Sequence, residues 1–116
     1  MQIQPVTNQP KFSGKLVIDS TIEPSINELM KKYKLGSKFK QIAKMVQNKP
    51  YDVFIYSKKE TPNFYYVAAN KTEEQAKEIK EYTVKIQPEI LLASIVDATK
   101  DAMSMYEKYI AKGIRG

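Results

Sequence analysis

Residues 51–70 read YDVFIYSKKETPNFYYVAAN, and this stretch predicts the sheet on which the fold is built. Two runs rich in β-branched and aromatic residues, 51–56 and 64–69, flank a polar segment. β-branched and aromatic side chains favour strands, whereas Pro62 and Asn63 favour a turn. The stretch therefore predicts a β-hairpin with a loop of about seven residues.

A strand and two amphipathic helices are predicted before this hairpin. Residues 15–19, KLVID, are typical of a short strand. Pro24 suits the first turn of a helix, and Gly36 suits its left-handed C-terminal cap. Ser37 is expected to cap the second helix, which must end before Pro50. Apolar residues recur at helical spacing in both helices, at Ile26, Leu29, Met30, Tyr33, Phe39, Ile42, Ala43 and Val46.

A short helix, a fourth strand and a long helix are predicted after the hairpin. Thr72 and Gln75 have the spacing of a capping box, which opens the short helix. Residues 82–87 alternate between apolar and polar side chains, as a half-buried strand does. Pro88 and Gly113 suit the start and the end of the last helix.

Together these elements predict an α+β fold. The expected architecture is a largely antiparallel sheet of about four strands. A helical hairpin, a short helix and a long C-terminal helix pack on one face of it. Residues 1–11 are polar with two prolines and are expected to form an extended arm, whereas residues 12–116 are expected to form a single domain.

The amino-acid composition excludes several classes of catalytic and metal-binding site. The 116-residue chain contains no cysteine and no histidine. Histidine-based catalytic triads and the ordinary zinc sites are therefore excluded. Asp97 and Asp101 lie one helical turn apart, but Lys100 between them favours a solvated face. No catalytic residue, metal site or cofactor is predicted.

The location expected from the sequence is the cytoplasm. The first residues contain no apolar core of the kind an export signal needs, and no apolar run is long enough to cross a bilayer. The absence of cysteine also favours a reducing compartment.

The excess positive charge is concentrated in one segment. The formal net charge is +6, and no acidic residue lies between Leu29 and Tyr51. This segment contains seven of the nineteen basic residues, namely Lys31, Lys32, Lys34, Lys38, Lys40, Lys44 and Lys49. Such a patch attracts nucleic acid, anionic lipid or an acidic protein, and a solvated lysine-rich face is the simpler interpretation.

A helix-turn-helix is a sharper interpretation of the same segment, since two short helices flank a tight turn. Two details oppose it: Phe39 comes too early for that register, and the second helix contains no arginine. Contacts with the phosphate backbone of a nucleic acid remain the alternative.

The C-terminal helix carries two adjacent apolar stripes and is predicted to be about 25 residues, or about 37 Å, long. A helix of this length either extends beyond the sheet or packs along its whole length on the sheet and the helical hairpin, and the sequence favours neither. Its far end contains a group of methionine, tyrosine and isoleucine residues, and such side chains favour interfaces. This group predicts contact with a protein partner or self-association, and its members are Met103, Met105, Tyr106, Tyr109 and Ile110.

The tyrosine-rich strands allow two interpretations. Exposed aromatic rings beside lysines can stack on single-stranded bases. Aromatic residues are also good strand formers that bury themselves against helices, which is the favoured interpretation. Adjacent Tyr65 and Tyr66 must point to opposite faces of the sheet, so both are buried only if elements cover both faces.

The segment from Ile3 to Leu16 resembles the start of short uncharacterised proteins of gut bacteria and their tailed phages. The matching residues are Pro5, Asn8, Phe12, Gly14 and Leu16. The resemblance covers about an eighth of the chain and brings no site residues. It implies a small accessory protein, encoded by a phage or mobile element, that works by binding.

Two functional hypotheses follow from the sequence. The first is a non-enzymatic binding or assembly module that acts through protein–protein contacts of its C-terminal helix. The second is a nucleic-acid-binding protein that uses the lysine-rich segment. An enzyme would need carboxylate, lysine or tyrosine chemistry, and the sequence shows no constellation for it.

Overall fold

The computed structural model describes residues 14–78 and 84–113, which contain a four-stranded sheet. The strands lie in chain order across the sheet; the first pairs in parallel with the second, and the other pairs are antiparallel. The predicted α+β class and largely antiparallel sheet are confirmed. The predicted arm, residues 1–11, lies outside the described residues. The strands are β1 (Leu16–Ile18), β2 (Asp52–Lys58), β3 (Thr61–Asn70) and β4 (Val84–Ile86).

Five α-helices are described, and a π-helical turn at Tyr106–Ile110 follows the last of them. The connection between β1 and β2 runs through two helices, and a parallel strand pair needs a long crossover of this kind. The helices are α1 (Glu23–Tyr33), α2 (Gly36–Gln47), α3 (Glu73–Glu78), α4 (Pro88–Ala93) and α5 (Ile95–Met105).

Both faces of the sheet are covered, which corrects the prediction that helices pack on one face. Val53 and Ile55 of β2 point into the main core, where α1, α2 and α5 pack. Phe54 and Tyr56 alternate with them and point to the opposite face, as successive strand residues must. Ala76 of α3 packs against that second cluster.

The turn between β2 and β3 is shorter than predicted. Lys58 pairs with Thr61, so only Lys59 and Glu60 connect the strands. The pairing register between β2 and β3 shifts at an irregularity between Ser57 and Lys58. Pro62, which lacks a backbone N–H, lies at this irregularity rather than in a loop, because proline is tolerated in sheets where the ladder is interrupted.

The junction of α1 and α2 also differs from the prediction. Lys34, not Gly36, adopts the left-handed conformation, with φ of 56°. The Leu35 N–H donates to the Met30 carbonyl at 2.9 Å, the bond that defines a Schellman turn. Leu35 is buried in the core. The chain therefore turns early enough to bury Leu35, and α2 begins at Gly36 with no side-chain cap.

Thr72 caps α3 as predicted, because its Oγ1 accepts a hydrogen bond from the Gln75 N–H at 3.2 Å, which is one of the two bonds of a capping box. In β4, half-buried Val84 and Ile86 flank exposed Lys85, so the predicted alternation is confirmed for these residues. The predicted beginning of this strand, at residues 82 and 83, lies outside the described residues.

The predicted long C-terminal helix is present but interrupted at Ser94, which separates α4 from α5. Ser94 has φ of −124° and ψ of 34°, outside the helical range. Its hydroxyl donates to the Ile90 carbonyl at 2.9 Å. A serine that bonds back to the preceding turn commonly bends a helix.

Candidate functional site

The outward face of α2 is the most distinctive surface of the chain. Phe39, Ile42 and Val46 form the buried stripe of this helix. Lys40 and Lys44 lie one turn apart on the opposite side and are exposed. The helical period therefore places Phe39, Ile42 and Val46 opposite the lysines as the sequence predicted, whereas Ala43, predicted for the same apolar face, is exposed.

Six members of the predicted lysine set are exposed, and Lys49 is half-buried. We call the seven residues, as defined above, the lysine surface. The ammonium groups of these lysines differ in the contacts that they make. Lys38 Nζ lies 3.4 Å from the Ala93 carbonyl of α4, and Lys49 Nζ lies 3.2 Å from Glu107 Oε2. Within the described residues, Lys40 and Lys44 form no ion pair.

The beginning of α2 adds to the positive character of this region. No acidic residue lies in its first turn, and no side chain caps it. The free N–H groups of a helix start carry a partial positive charge. Lys34, held in the preceding turn, lies next to this end. Lys34 and the uncapped start of α2 therefore both contribute positive charge beside the α1–α2 turn.

The C-terminal apolar residues do not form one exposed patch. Met103 and Tyr106 belong to the main core. Met105 and Ile110 are half-buried, and only Tyr109, at 39% exposure, is a large exposed apolar residue among the five. The structure therefore leaves Met105, Tyr109 and Ile110 as the part of this set that can reach a partner.

The tyrosines of the hairpin are buried, whereas Phe64 is half-buried. Tyr65 lies in the main core and Tyr66 in the second cluster, so the two point to opposite faces, and both are buried. The Tyr66 ring stacks on Tyr56 at a centroid distance of 5.5 Å, and Lys58 Nζ lies 4.5 Å from its centroid. These rings are occupied by intramolecular contacts and offer no surface for stacking on bases.

A polar contact that the sequence did not indicate joins Tyr51, the residue before β2, to the C-terminal helical segment. The Tyr51 hydroxyl donates to Glu107 Oε2 at 2.5 Å. The Tyr51 ring also packs on Tyr106, with centroids 4.3 Å apart. The hydrogen bond from Tyr51 holds the pKa of Glu107 below its usual value, and burial raises the pKa of Tyr51. Tyr51 and Glu107 lie 56 residues apart, so no local pattern could reveal their contact.

An open cavity of about 290 Å³ adjoins this contact. It lies between the end of α2 and α5, and it presents two ammonium groups, one carboxylate and one hydroxyl. Because Glu107 already pairs with Lys49, the carboxylate is not free to act as a base toward a ligand there. The lining residues are Met45, Lys49, Lys100, Met103, Ser104 and Glu107.

The described residues contain no group of three or more acidic side chains placed to hold a metal ion. Asp97 and Asp101 are both exposed on α5. No described helix is both long and apolar enough to cross a membrane.

Comparison of the chain with protein-family models, with curated proteins and with solved structures gives no match.

Proposed function

We propose that this protein is a non-enzymatic binding protein that binds nucleic acid through the lysine surface. The observation that carries the proposal is the outward face of α2. There Lys40 and Lys44 are exposed, form no ion pair within the described residues, and lie in a segment with no acidic residue.

The physical basis is the release of counterions from phosphates. Each lysine that neutralises a phosphate releases a condensed cation, so affinity falls as salt rises. Lys31, Lys34, Lys40 and Lys44 have no intramolecular ion pair to break within the described residues. Four such contacts predict a slope of about −3.6 for log K against log salt.

The experiment is a fluorescence-anisotropy titration of a labelled mixed-sequence nucleic acid at several salt concentrations. The variant Lys40→Gln/Lys44→Gln is expected to bind more weakly and to reduce the slope to about −1.8. The matched control, Lys59→Gln/Lys71→Gln, removes the same charge from two exposed lysines elsewhere and is expected to keep most of the slope. No binding at low salt, or equal losses in both variants, would contradict the proposal.

A second candidate function is assembly through protein–protein contacts of the C-terminal segment. The observation that favours it is the exposure of Tyr109 beside half-buried Met105 and Ile110. Size-exclusion chromatography with light scattering tests it. An oligomer that persists at high salt and dissociates in Tyr109→Asp, but not in the control Tyr33→Asp, would support assembly. A monomer at high concentration would refute self-association.

The setting that we propose for either function is the cytoplasm, where reducing conditions suit a chain without cysteine. The N-terminal resemblance to short proteins of gut bacteria and tailed phages supports an accessory role. In that role the protein would serve a phage or a mobile element.

A further inference from the structure

We infer that the lysine surface binds duplex DNA, with α2 lying in the major groove. The inference rests on the proposed function and specifies the nucleic acid that this surface takes.

The dimensions and chemistry of α2 fit this groove. Its twelve residues give a rod about 18 Å long and, with side chains, about 10–12 Å across. The major groove of B-DNA is about 12 Å wide. The side of α2 opposite its buried stripe contains only lysine and uncharged hydrogen-bonding side chains, all of them exposed. These residues are Ser37, Lys40, Gln41, Lys44, Gln47 and Asn48.

Lysines also adjoin both ends of α2. Lys34 lies two residues before the helix begins, and Lys49 lies two residues after it ends. A helix in the major groove has a phosphate backbone on each side. The ammonium groups of Lys34, Lys40 and Lys44 can therefore contact phosphates, whereas that of Lys49 is already paired with Glu107.

Two acidic groups lie beside lysines at α2 or just after it. Glu89 shares a cleft with Lys38, and Glu107 pairs with Lys49. Lys38 is about 160° around the helix from Lys40, given the period of 3.6 residues per turn. The Glu89 carboxylate therefore lies away from the face that carries Lys40 and Lys44.

The alternatives within nucleic acids fit less well. Binders of single strands stack bases on exposed aromatic rings. Tyr56, Tyr65 and Tyr66 are buried, and half-buried Phe64 is already in contact with Lys85, whose Nζ lies 4.6 Å from its ring centroid. Among the described residues of the α1–α2 segment, Tyr33, at 48% exposure, is the one exposed ring, and one ring makes a small platform. The major groove of duplex RNA is too deep and narrow for side chains to reach its bases. Duplex DNA remains the form that the surface fits.

The test compares the full chain on three labelled probes at the same low salt concentration. The first is duplex DNA of two helical turns, about 21 base pairs. The second is duplex RNA of the same sequence, and the third is single-stranded DNA with the same number of phosphates. We expect the chain to bind duplex DNA at least about tenfold more tightly than either of the others, a difference of about 1.4 kcal/mol.

Groove competitors then locate α2 on the duplex. Methyl green, which occupies the major groove, is expected to displace the protein, whereas netropsin, which occupies the minor groove, is not. Equal or tighter binding to single strands or duplex RNA, or displacement by netropsin alone, would overturn the inference and leave the proposed function standing. Failure to bind any of the three probes would overturn both.

Discussion

At the scale of single residues, two backbone positions restrict which side chain the fold accepts. Gly14 is buried where the chain enters β1, against the end of α2 and the start of β2. A Cβ atom there would clash with the carbonyl oxygens of Val46 and Tyr51 and would lie 2.8 Å from Val46 Cγ1. Carbonyl oxygens of the backbone cannot move aside to relieve such a clash, whereas the end of a flexible side chain can. The close approach of three segments therefore requires glycine.

Replacement of Gly14 by alanine is expected to reduce the free energy of unfolding by about 3 kcal/mol, the upper end of the usual cost of overpacking. Gly36→Ala is the matched control, because no atom lies within 4 Å of the Cβ that it adds. The control is expected to be neutral or to stabilise α2 by about 0.5–1 kcal/mol. Urea unfolding of both variants measures the difference, and equal stabilities would refute the close approach at Gly14.

Lys34 is the second such position, since its left-handed conformation costs a residue with a Cβ about 1–2 kcal/mol. Lys34→Gly is expected to raise the free energy of unfolding by about 1 kcal/mol. Lys32→Gly, two residues earlier inside α1, is expected to lower it by about 1 kcal/mol. Thermal unfolding measures whether each variant is more or less stable than the original chain. Destabilisation by Lys34→Gly would show that α1 does not end in this turn.

At the scale of elements, the C-terminal segment is held to the sheet by packing and by one polar contact. Two irregularities, the break at Ser94 and the π-helical turn, each change the direction in which the side chains of the C-terminal segment point. Consecutive residues of the π-helical turn, Tyr106 and Glu107, both contact Tyr51 of the segment that leads into β2. The ring contact is buried, whereas the Glu107 side chain is nearly half exposed, which limits the strength of its hydrogen bond.

Tyr51→Phe is expected to reduce the free energy of unfolding by about 1 kcal/mol, the usual value of one hydrogen bond. It is also expected to raise the pKa of Glu107 toward its ordinary value, because the hydrogen bond from Tyr51 is the main cause of its lowering. Carboxyl NMR titration measures this pKa. Tyr33→Phe serves as the control, and its exposed hydroxyl should matter little. An unchanged Glu107 pKa in Tyr51→Phe would show that the hydrogen bond is not formed in solution.

At the scale of the whole molecule, two helical layers cover a sheet that has a separate apolar cluster on each face. Two carboxylates help to join these parts. Glu107 connects the C-terminal segment to Tyr51. Asp19 follows β1, accepts a hydrogen bond from the Thr21 N–H at 3.0 Å, and pairs with Lys77 of α3 at 3.5 Å. These contacts, the backbone hydrogen bond first, lower the pKa of Asp19.

Acid is therefore expected to weaken the fold. Both carboxyls have lower pKa values in the folded state than their ordinary values of 3.8 and 4.5. Their contribution to stability is complete above those ordinary values and is lost as the pH falls through the lower folded values. Guanidinium unfolding across the acid range measures this loss. The variant Asp19→Asn/Glu107→Gln is expected to be less stable at neutral pH and to show a flatter dependence in acid. If the stability of the variant and that of the original chain fell equally with pH, the loss of stability in acid would not come from these two carboxyls.

The sequence by itself determined the features that depend on neighbouring residues. The apolar period identified the inward faces of α1 and α2, except at Tyr33 and Ala43, which are exposed. The alternation identified β4, and the spacing of Thr72 and Gln75 identified the start of α3. The lysine surface could be predicted as well, because its members are close in the chain and the period of α2 places Lys40 and Lys44 opposite the apolar stripe.

Only the tertiary structure decided the features that depend on distant contacts. The chain turned at Lys34 instead of Gly36 because Leu35 is buried, and Pro62 joined a strand because the sheet register shifts beside it. Distant contacts also separated the predicted C-terminal apolar set into buried and exposed members. Tyr106 is buried because it packs against Tyr51 and the sheet, whereas Tyr109 remains exposed. Local periodicity shows which side of an element is apolar, whereas the elements packed against it decide whether that side remains available to a partner.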